Sequence, residues 1–328
     1  MIAAQDPSGT HSDTRLMAND SNTVLFANPS AQSGKASELI DRARELLRRA
    51  GVAHDFAPTS PDGKTVEWVK AAIDHHQART VIYLGGDGTF ADVAKGIIAA
   101  DLAANVSLGM LPSGTANDQG KSFGIEAGAE NLADNVRVIA EGFIEQMDVA
   151  RLERLGDDDQ ALDVDLFFDL VSIGFSAAVL RRRNQDRRAV DRSPISEIYR
   201  DQLVYLGAAV KELFESYVDD VKFTLDAELD GKRMRFDSLL DVIIKNTRVY
   251  GGEWILAPNA RSDDGLVEMV PISGRRDFTS KLLSNLRHGL FNDDDLRGIG
   301  IEHSQPVAAK EMLLRFTPIG DPTVKTFS

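Results

Sequence analysis

The 328-residue chain contains no cysteine. Disulfides, thiolate metal sites and cysteine nucleophiles are therefore excluded. Basic residues are in deficit, with 37 Lys and Arg against 51 Asp and Glu and a net charge of −14, which argues against nucleic acid as a partner. No apolar run reaches the roughly 18 residues of a membrane-spanning helix; the most apolar stretch, Leu166 to Leu180, is broken by Asp169 and other polar residues. The N-terminus carries Asp6 and His11 and lacks the apolar core of a signal peptide. The six histidines show no ligand spacing, and there is no internal repeat. What remains, 43% hydrophobic and 27% charged, suits a soluble globular protein long enough for two domains. A cytoplasmic location is expected, with peripheral contact at the inner face of a membrane left open.

Residues 1–21 are polar and aperiodic and read as a disordered tail. From Thr23 the chain alternates short apolar runs with helical patterns. Strands are expected at Thr23 to Ala27, Val52 to Phe56, Val81 to Leu84 and Val106 to Leu111. Helices are expected from Leu39 to Ala50, Thr65 to Ala78, Ala91 to Ala100 and Gly128 to Glu141. This alternation predicts an α/β domain with a parallel sheet, over 22–142, whose ligand crevice lies at the carboxyl ends of its strands. Beyond Phe143 the pattern changes. Met147 to Leu155, Val164 to Ile173, Val221 to Leu229, Lys232 to Leu240 and Asp241 to Asn246 read as strands, with a hairpin turn at Asp230-Gly231. A second, antiparallel, β-sandwich-like domain over 143–317 is expected, interrupted by a helical insert from Ile195 to Tyr217; residues 318–328 are free to return to the first domain.

Three loops carry chemistry. Gly85-Gly86-Asp87-Gly88-Thr89 follows a strand and precedes a helix. Glycines let a backbone approach a ligand closely, and a helix N-terminus favours an anion. An aspartate in the same loop calls for a metal between protein and phosphate, so a nucleotide is the first expectation. Pro112-Ser113-Gly114-Thr115-Ala116-Asn117-Asp118 follows the next strand and offers further hydrogen bonds. Asn28 to Lys35 echoes a P-loop but lacks its first glycine, and no loop matches G-x-G-x-x-G at the first strand–helix turn.

Asn28-Pro29 with Gly34-Lys35, Gly85 to Thr89, and Pro112 to Asp118, in this order and spacing, resemble the signature loops of the diacylglycerol kinase catalytic-domain family, which includes bacterial lipid kinases and sphingosine kinases and is distantly related to NAD kinases. The resemblance covers about residues 22–320. It implies an NAD kinase-like nucleotide domain and a β-rich second domain with the site between them. It also implies ATP- and Mg²⁺-dependent phosphoryl transfer to a hydroxyl of diacylglycerol or a related lipid at the membrane surface. By resemblance, Asn28, Thr59, Gly85, Gly86, Asp87, Gly88, Thr89, Gly114, Thr115, Asn117 and Asp118 form the nucleotide site, with Asp87 engaging the catalytic metal or acting as base. Ala257-Pro258-Asn259-Ala260-Arg261-Ser262-Asp263-Asp264-Gly265-Leu266-Val267-Glu268 resembles the family's cation loop, which implies Mg²⁺ on Asp264 and the backbone carbonyls of Arg261 and Leu266.

Two departures stand out. Bacterial members end in an Asp-Gly-Glu stretch whose aspartate is taken as the base; here only Asp321 lies near that place. Either Asp87 is the base, as proposed for sphingosine kinases, or the chain is cut short, or catalysis is weak; Asp87 is favoured. Relatives also carry an acidic residue at or just after Ser176, where this chain has Ser and Ala. The one basic cluster, Arg181 to Arg192, reads as a solvated helix end or as a dock for anionic lipid headgroups. A homodimer stays open. The competing readings are a kinase of a soluble acceptor such as NAD, and a nucleotide- or lipid-binding protein that has lost catalysis.

Overall fold

The computed structural model describes residues 22–29, 35–60, 63–101, 103–178, 222–252, 254–274, 277–278, 281 and 305–319. The helical insert from Ile195 to Tyr217, the Arg181 to Arg192 cluster and Asp321 lie outside the described residues. The chain divides into two compact units, residues 1–146 and 147–328.

The first unit is a parallel sheet of β1 (Thr23–Ala27), β2 (Asp55–Pro58), β3 (Thr80–Gly85) and β4 (Ser107–Pro112), in the order β2-β1-β3-β4. Each crossover is a helix: α1 (Lys35–Arg49), α2 (Lys64–Asp74) and α3 (Asp87–Ala99). The short α4 (Asp118–Ser122) and then α5 (Leu132–Glu141) follow β4. Strand alternation decides the two faces. Leu25, Ala27, Ile82, Leu84 and Leu111 pack with Ile40, Ala43 and Leu47 of α1 and Leu132 and Val136 of α5. Val24, Phe26, Val81 and Tyr83 are buried on the other side, where Tyr83 meets Phe90 of α3 edge-on at 5.5 Å.

Several boundaries differ from the sequence reading, among them the starts of α1 and α5 and the end of α2; two bear on the candidate site. The second strand starts at Asp55 rather than Val52, because Val52 is occupied in closing α1, its N–H bonding Leu47 O at 2.9 Å. The third helix starts at Asp87 rather than Ala91, so Asp87, Gly88 and Thr89 form its first turn.

The second unit holds a four-stranded sheet, order β14-β13-β10-β7, and a three-stranded sheet, order β15-β8-β9. The strands are β7 (Leu170–Gly174), β8 (Phe223–Leu229), β9 (Lys232–Leu239), β10 (Asp241–Lys245), β13 (Val267–Ile272), β14 (Val307–Ala309) and β15 (Met312–Pro318), paired antiparallel throughout. Phe223, Leu225 and Leu239 pack with Val242, Ile244 and Met269 in one core. Ile243, Val270 and Ile272 face a second, with Phe175, Trp254, Leu256 and Phe278. β10 is thus buried on both faces, which its unbroken apolar run Val242-Ile243-Ile244 requires. The Asp230-Gly231 turn has positive φ at both residues, 48° and 79°, as a tight hairpin needs. The hairpin of β5 (Ala150–Leu155) and β6 (Ala161–Phe167) and the short pair β11 (Val249–Tyr250) and β12 (Trp254–Ile255) complete the unit. The single strand expected over Val164 to Ile173 is two, β6 and β7, broken at Phe168-Asp169. Asp169, in the break, pairs with Lys245 and accepts from Thr247.

Candidate nucleotide and cation sites

Parallel pairing brings the ends of four strands to one edge of the first unit. Ala27 is level with Pro58 and with Leu84, and Gly85 is level with Pro112. The residues that follow are Asn28, Thr59, Gly86 and Ser113. Residues expected at one site from separate stretches of sequence are therefore neighbours along this edge. Thr59 is tied to it by its N–H on Ala27 O at 2.9 Å, and Ser113 by its N–H on Gly85 O at 2.8 Å.

The two glycine loops are in backbone contact. A Cβ on Gly114 would lie 2.5 Å from Gly86 Cα, and one on Gly86 would lie 3.1 Å from Gly114 Cα. Glycine at 114 is what permits this approach, and at 86 any side chain would be tight. Asn117 braces the second loop from a left-handed conformation, φ 55°, with its side chain almost wholly buried. Its Oδ1 accepts from Gly114 N at 2.8 Å, and its Nδ2 donates to Gly114 O at 2.7 Å. Both ends of this amide serve the loop, so Asn117 shapes the site through Gly114.

Asp87 opens α3, a 13-residue helix whose N-cap, Gly86, supplies no side-chain cap. The positive end of the helix thus faces the glycine loops with no side-chain oxygen of the cap against it. Asp87 Oδ1 accepts from Gln119 N at 3.2 Å, which ties the start of α3 to α4. Burial chiefly, and then the negative charge of Asp87, raises the Tyr83 phenol far above its ordinary value. Gln119 is an addition that sequence did not reveal. It is buried at 1% exposure, and neither its Oε1 nor its Nε2 has a partner. Beside the second loop lies a cleft of about 480 Å³, lined by Leu39, Ser113, Thr115, Asn117, Lys121 and Glu126 among others; residues 85–89 do not line it.

The 261–266 loop, expected from the sequence to hold a cation, lies in the second unit. Asp264 Oδ1 accepts from Leu266 N at 3.0 Å and closes a tight turn. Arg261 directs its guanidinium to Asp263, not Asp264, at 3.1 Å. The loop is pinned from a distance in sequence: Asp148 N donates to Ser262 O, and the Asp148 carboxylate accepts from Gly265 N. Asn246 Nδ2 in turn donates to Asp148 O at 2.9 Å and to Phe168 O at 3.2 Å. Neither Asp148 nor Asn246 stands out in the sequence, because no local pattern marks hydrogen bonds that span 78 to 117 residues.

Whether this corner suits Mg²⁺ is decided by Glu268. Its side chain is buried, and its Oε2 has no partner. Burial first, and then the charge of Asp264, raises its carboxyl above the ordinary value. A corner with two carboxylates and an unpartnered buried oxygen is short of positive charge, so a hard cation fits it. Among the described residues no three carboxylate or imidazole side chains converge on a point.

Elsewhere in the unit, Asp241 is fully buried at the start of β10. It accepts from Ser176 N at 3.0 Å, from the Ser176 hydroxyl and from Val242 N at 3.1 Å. An acid at the start of β10 therefore stands against Ser176. Burial pushes its carboxyl up to about 7, against the opposing effect of these donors.

Residues 22–152 match the diacylglycerol kinase catalytic domain, and residues 169–302 match the YegS C-terminal NAD kinase beta sandwich-like domain. The chain belongs to the diacylglycerol kinase family. It is 28% identical over 261 residues to a diacylglycerol kinase of Mycobacterium tuberculosis, covering 79% of this chain and 75% of that protein. It is 27% identical to a probable lipid kinase YegS-like of an Enterobacter species, covering 80% of this chain and 78% of the relative. A crystal structure of a diacylglycerol kinase from Bacillus anthracis superimposes with a TM-score of 0.61 at 18% identity, over 90% of this chain and 85% of that one. At that identity the superposition shows the fold, a parallel-sheet domain followed by an antiparallel sandwich-like domain. No described helix is long and apolar enough to cross a membrane.

Proposed function

We propose that this lipid kinase-family protein transfers the γ-phosphoryl group of ATP to a hydroxyl of diacylglycerol or a related lipid. The observation that carries the reading is the backbone contact of Gly86 with Gly114 at the start of α3. It joins two loops of small residues and places them at the positive end of a helix, which suits a polyphosphate. Phosphoryl transfer needs positioning and charge neutralisation more than covalent chemistry. In this reading Gly85, Gly86, Gly88, Thr89, Gly114 and Thr115 cradle the phosphates, and Asn28 and Thr59 border them on the same sheet edge. Asp87 holds the catalytic metal or takes the proton from the acceptor hydroxyl. Magnesium, when bound at the 261–266 loop, supplies positive charge and fixes that loop; Asp264 and the carbonyls of Arg261 and Leu266 hold it. We assign the enzyme to the cytoplasmic side, acting on lipid at the membrane surface.

The test is Asp87→Asn. Asparagine keeps an oxygen for Gln119 N, so the fold and ATP binding are expected to persist. Transfer to lipid is expected to fall by at least about 100-fold, the scale of a lost acid–base or charge-stabilising group. Wild-type transfer by this variant would overturn the assignment.

A further inference from the structure

Among the described residues, no group hydrogen-bonds the buried Oε2 of Glu268. Glu268 lies on β13, level with Lys245 of β10 on one side and Ala308 of β14 on the other. Residues level with each other across an antiparallel pair put their side chains on one face, so Lys245 is the cation within reach. Its ammonium is already used: it pairs with Asp169 and donates to Val249 O. Thr247 also donates to Asp169 and secures that arrangement. Ala308 offers no polar side chain. Asp264, in the turn that leads into β13, carries a charge of the same sign. Leaving a carboxylate oxygen buried and unbonded is costly, and native structures satisfy such atoms.

The backbone around these carboxylates is held firmly. Asp148 grips the loop at Ser262 and Gly265, and Asn246 grips Asp148. The turn at Asp264 to Leu266 then runs directly into β13 and Glu268. A loop fixed in this way beside two like charges is arranged for an ion that neutralises both.

We propose that Glu268 is a second carboxylate ligand of the divalent cation at the 261–266 loop, bound directly or through one water. This rests on the reading that Asp264 and the carbonyls of Arg261 and Leu266 hold that cation. Two carboxylates balance a doubly charged ion, and an all-oxygen set suits Mg²⁺ or Mn²⁺.

The experiment is a Mn²⁺ titration of the full chain, followed by loss of the free-ion electron paramagnetic resonance signal, with thermal unfolding measured in EDTA and in Mn²⁺. Glu268→Gln is expected to weaken Mn²⁺ binding tenfold or more. In EDTA it is expected to unfold at or above the wild-type temperature, because it removes an unpaired buried charge; Mn²⁺ is then expected to raise that temperature less than in wild type. Asp264→Asn is expected to weaken binding at least as much. If Asp264→Asn weakens binding and Glu268→Gln does not, the role given to Glu268 is overturned while the cation loop stands. If neither substitution changes binding, or the wild type binds no Mn²⁺, the cation loop itself is overturned and the role of Glu268 with it.

Discussion

Gly88 and Gly114 offer a paired test of what the glycine loops are for. At Gly114 an added methyl would sit 2.5 Å from Gly86 Cα, 3.0 Å from Asn117 Oδ1 and 3.3 Å from Gly86 N. Carbon atoms rest at about 3.5–4.0 Å, so the two loops must part by about 1 Å. Gly114→Ala therefore harms the fold, by about 1–3 kcal/mol for overpacking against backbone. Gly88 is the opposite case. Nothing lies within 4 Å of a methyl placed there. The residue sits in the first turn of α3, where alanine is intrinsically favoured over glycine by up to about 1 kcal/mol. Gly88→Ala is thus expected to unfold at the wild-type temperature or above it. If the open space at Gly88 is filled by the nucleotide phosphates, the methyl displaces them by about 1 Å, and such a shift costs about 100-fold in rate. That corresponds to about 2.7 kcal/mol of transition-state stabilisation. The assays are thermal unfolding by circular dichroism and ATP-dependent transfer to diacylglycerol in mixed micelles, reported as kcat/KM for ATP. A Gly88→Ala protein with unchanged unfolding temperature and unchanged kcat/KM would refute the reasoning, because no phosphate would then approach the start of α3.

Further outcomes follow from the same geometry. Asn117→Ala loses both hydrogen bonds to Gly114 and leaves alanine in a left-handed conformation, so a loss of about 2–4 kcal/mol in stability is expected by denaturant titration. Gln119→Leu replaces a buried amide without partners by an apolar side chain, and a gain of about 1–3 kcal/mol is expected in the same measurement. Asp241 has its carboxyl raised from 3.8 to about 7 in the folded protein. The folded state then holds a proton that the unfolded chain has released, so its contribution to stability is complete below about pH 4 and is lost as pH rises to about 7. Asp241→Asn is expected to flatten the stability–pH curve across that window; an unchanged slope would count against the burial argument.

The first unit was legible because its physics is local. Each strand ends at a loop of glycine, proline or asparagine, and helical spacing between the strands leaves little choice but a parallel sheet. The same alternation put the loops of Asn28, Gly85 and Gly114 at the strand ends of one sheet, whereas Thr59 was named only through its resemblance to a family loop. The start of α3 was misread because glycines at 86 and 88 look like loop, whereas the helix begins between them. In the second unit β10 was visible as an unbroken apolar run. The break between β6 and β7 was not; Asp169, which lies in it, pairs with Lys245 far along the chain. The brace of Asp148 on the cation loop and the isolation of Glu268 were equally hidden. Both depend on which strands become neighbours, and no spacing in the sequence records that.

The most direct test of the central claim is transfer of label from γ-labelled ATP, with Mg²⁺, to a panel of acceptors containing diacylglycerol, related lipids in mixed micelles, and NAD. Label recovered in a phosphorylated lipid, and lost with Asp87→Asn, is the expected result. Label on NAD and on no lipid would contradict the account.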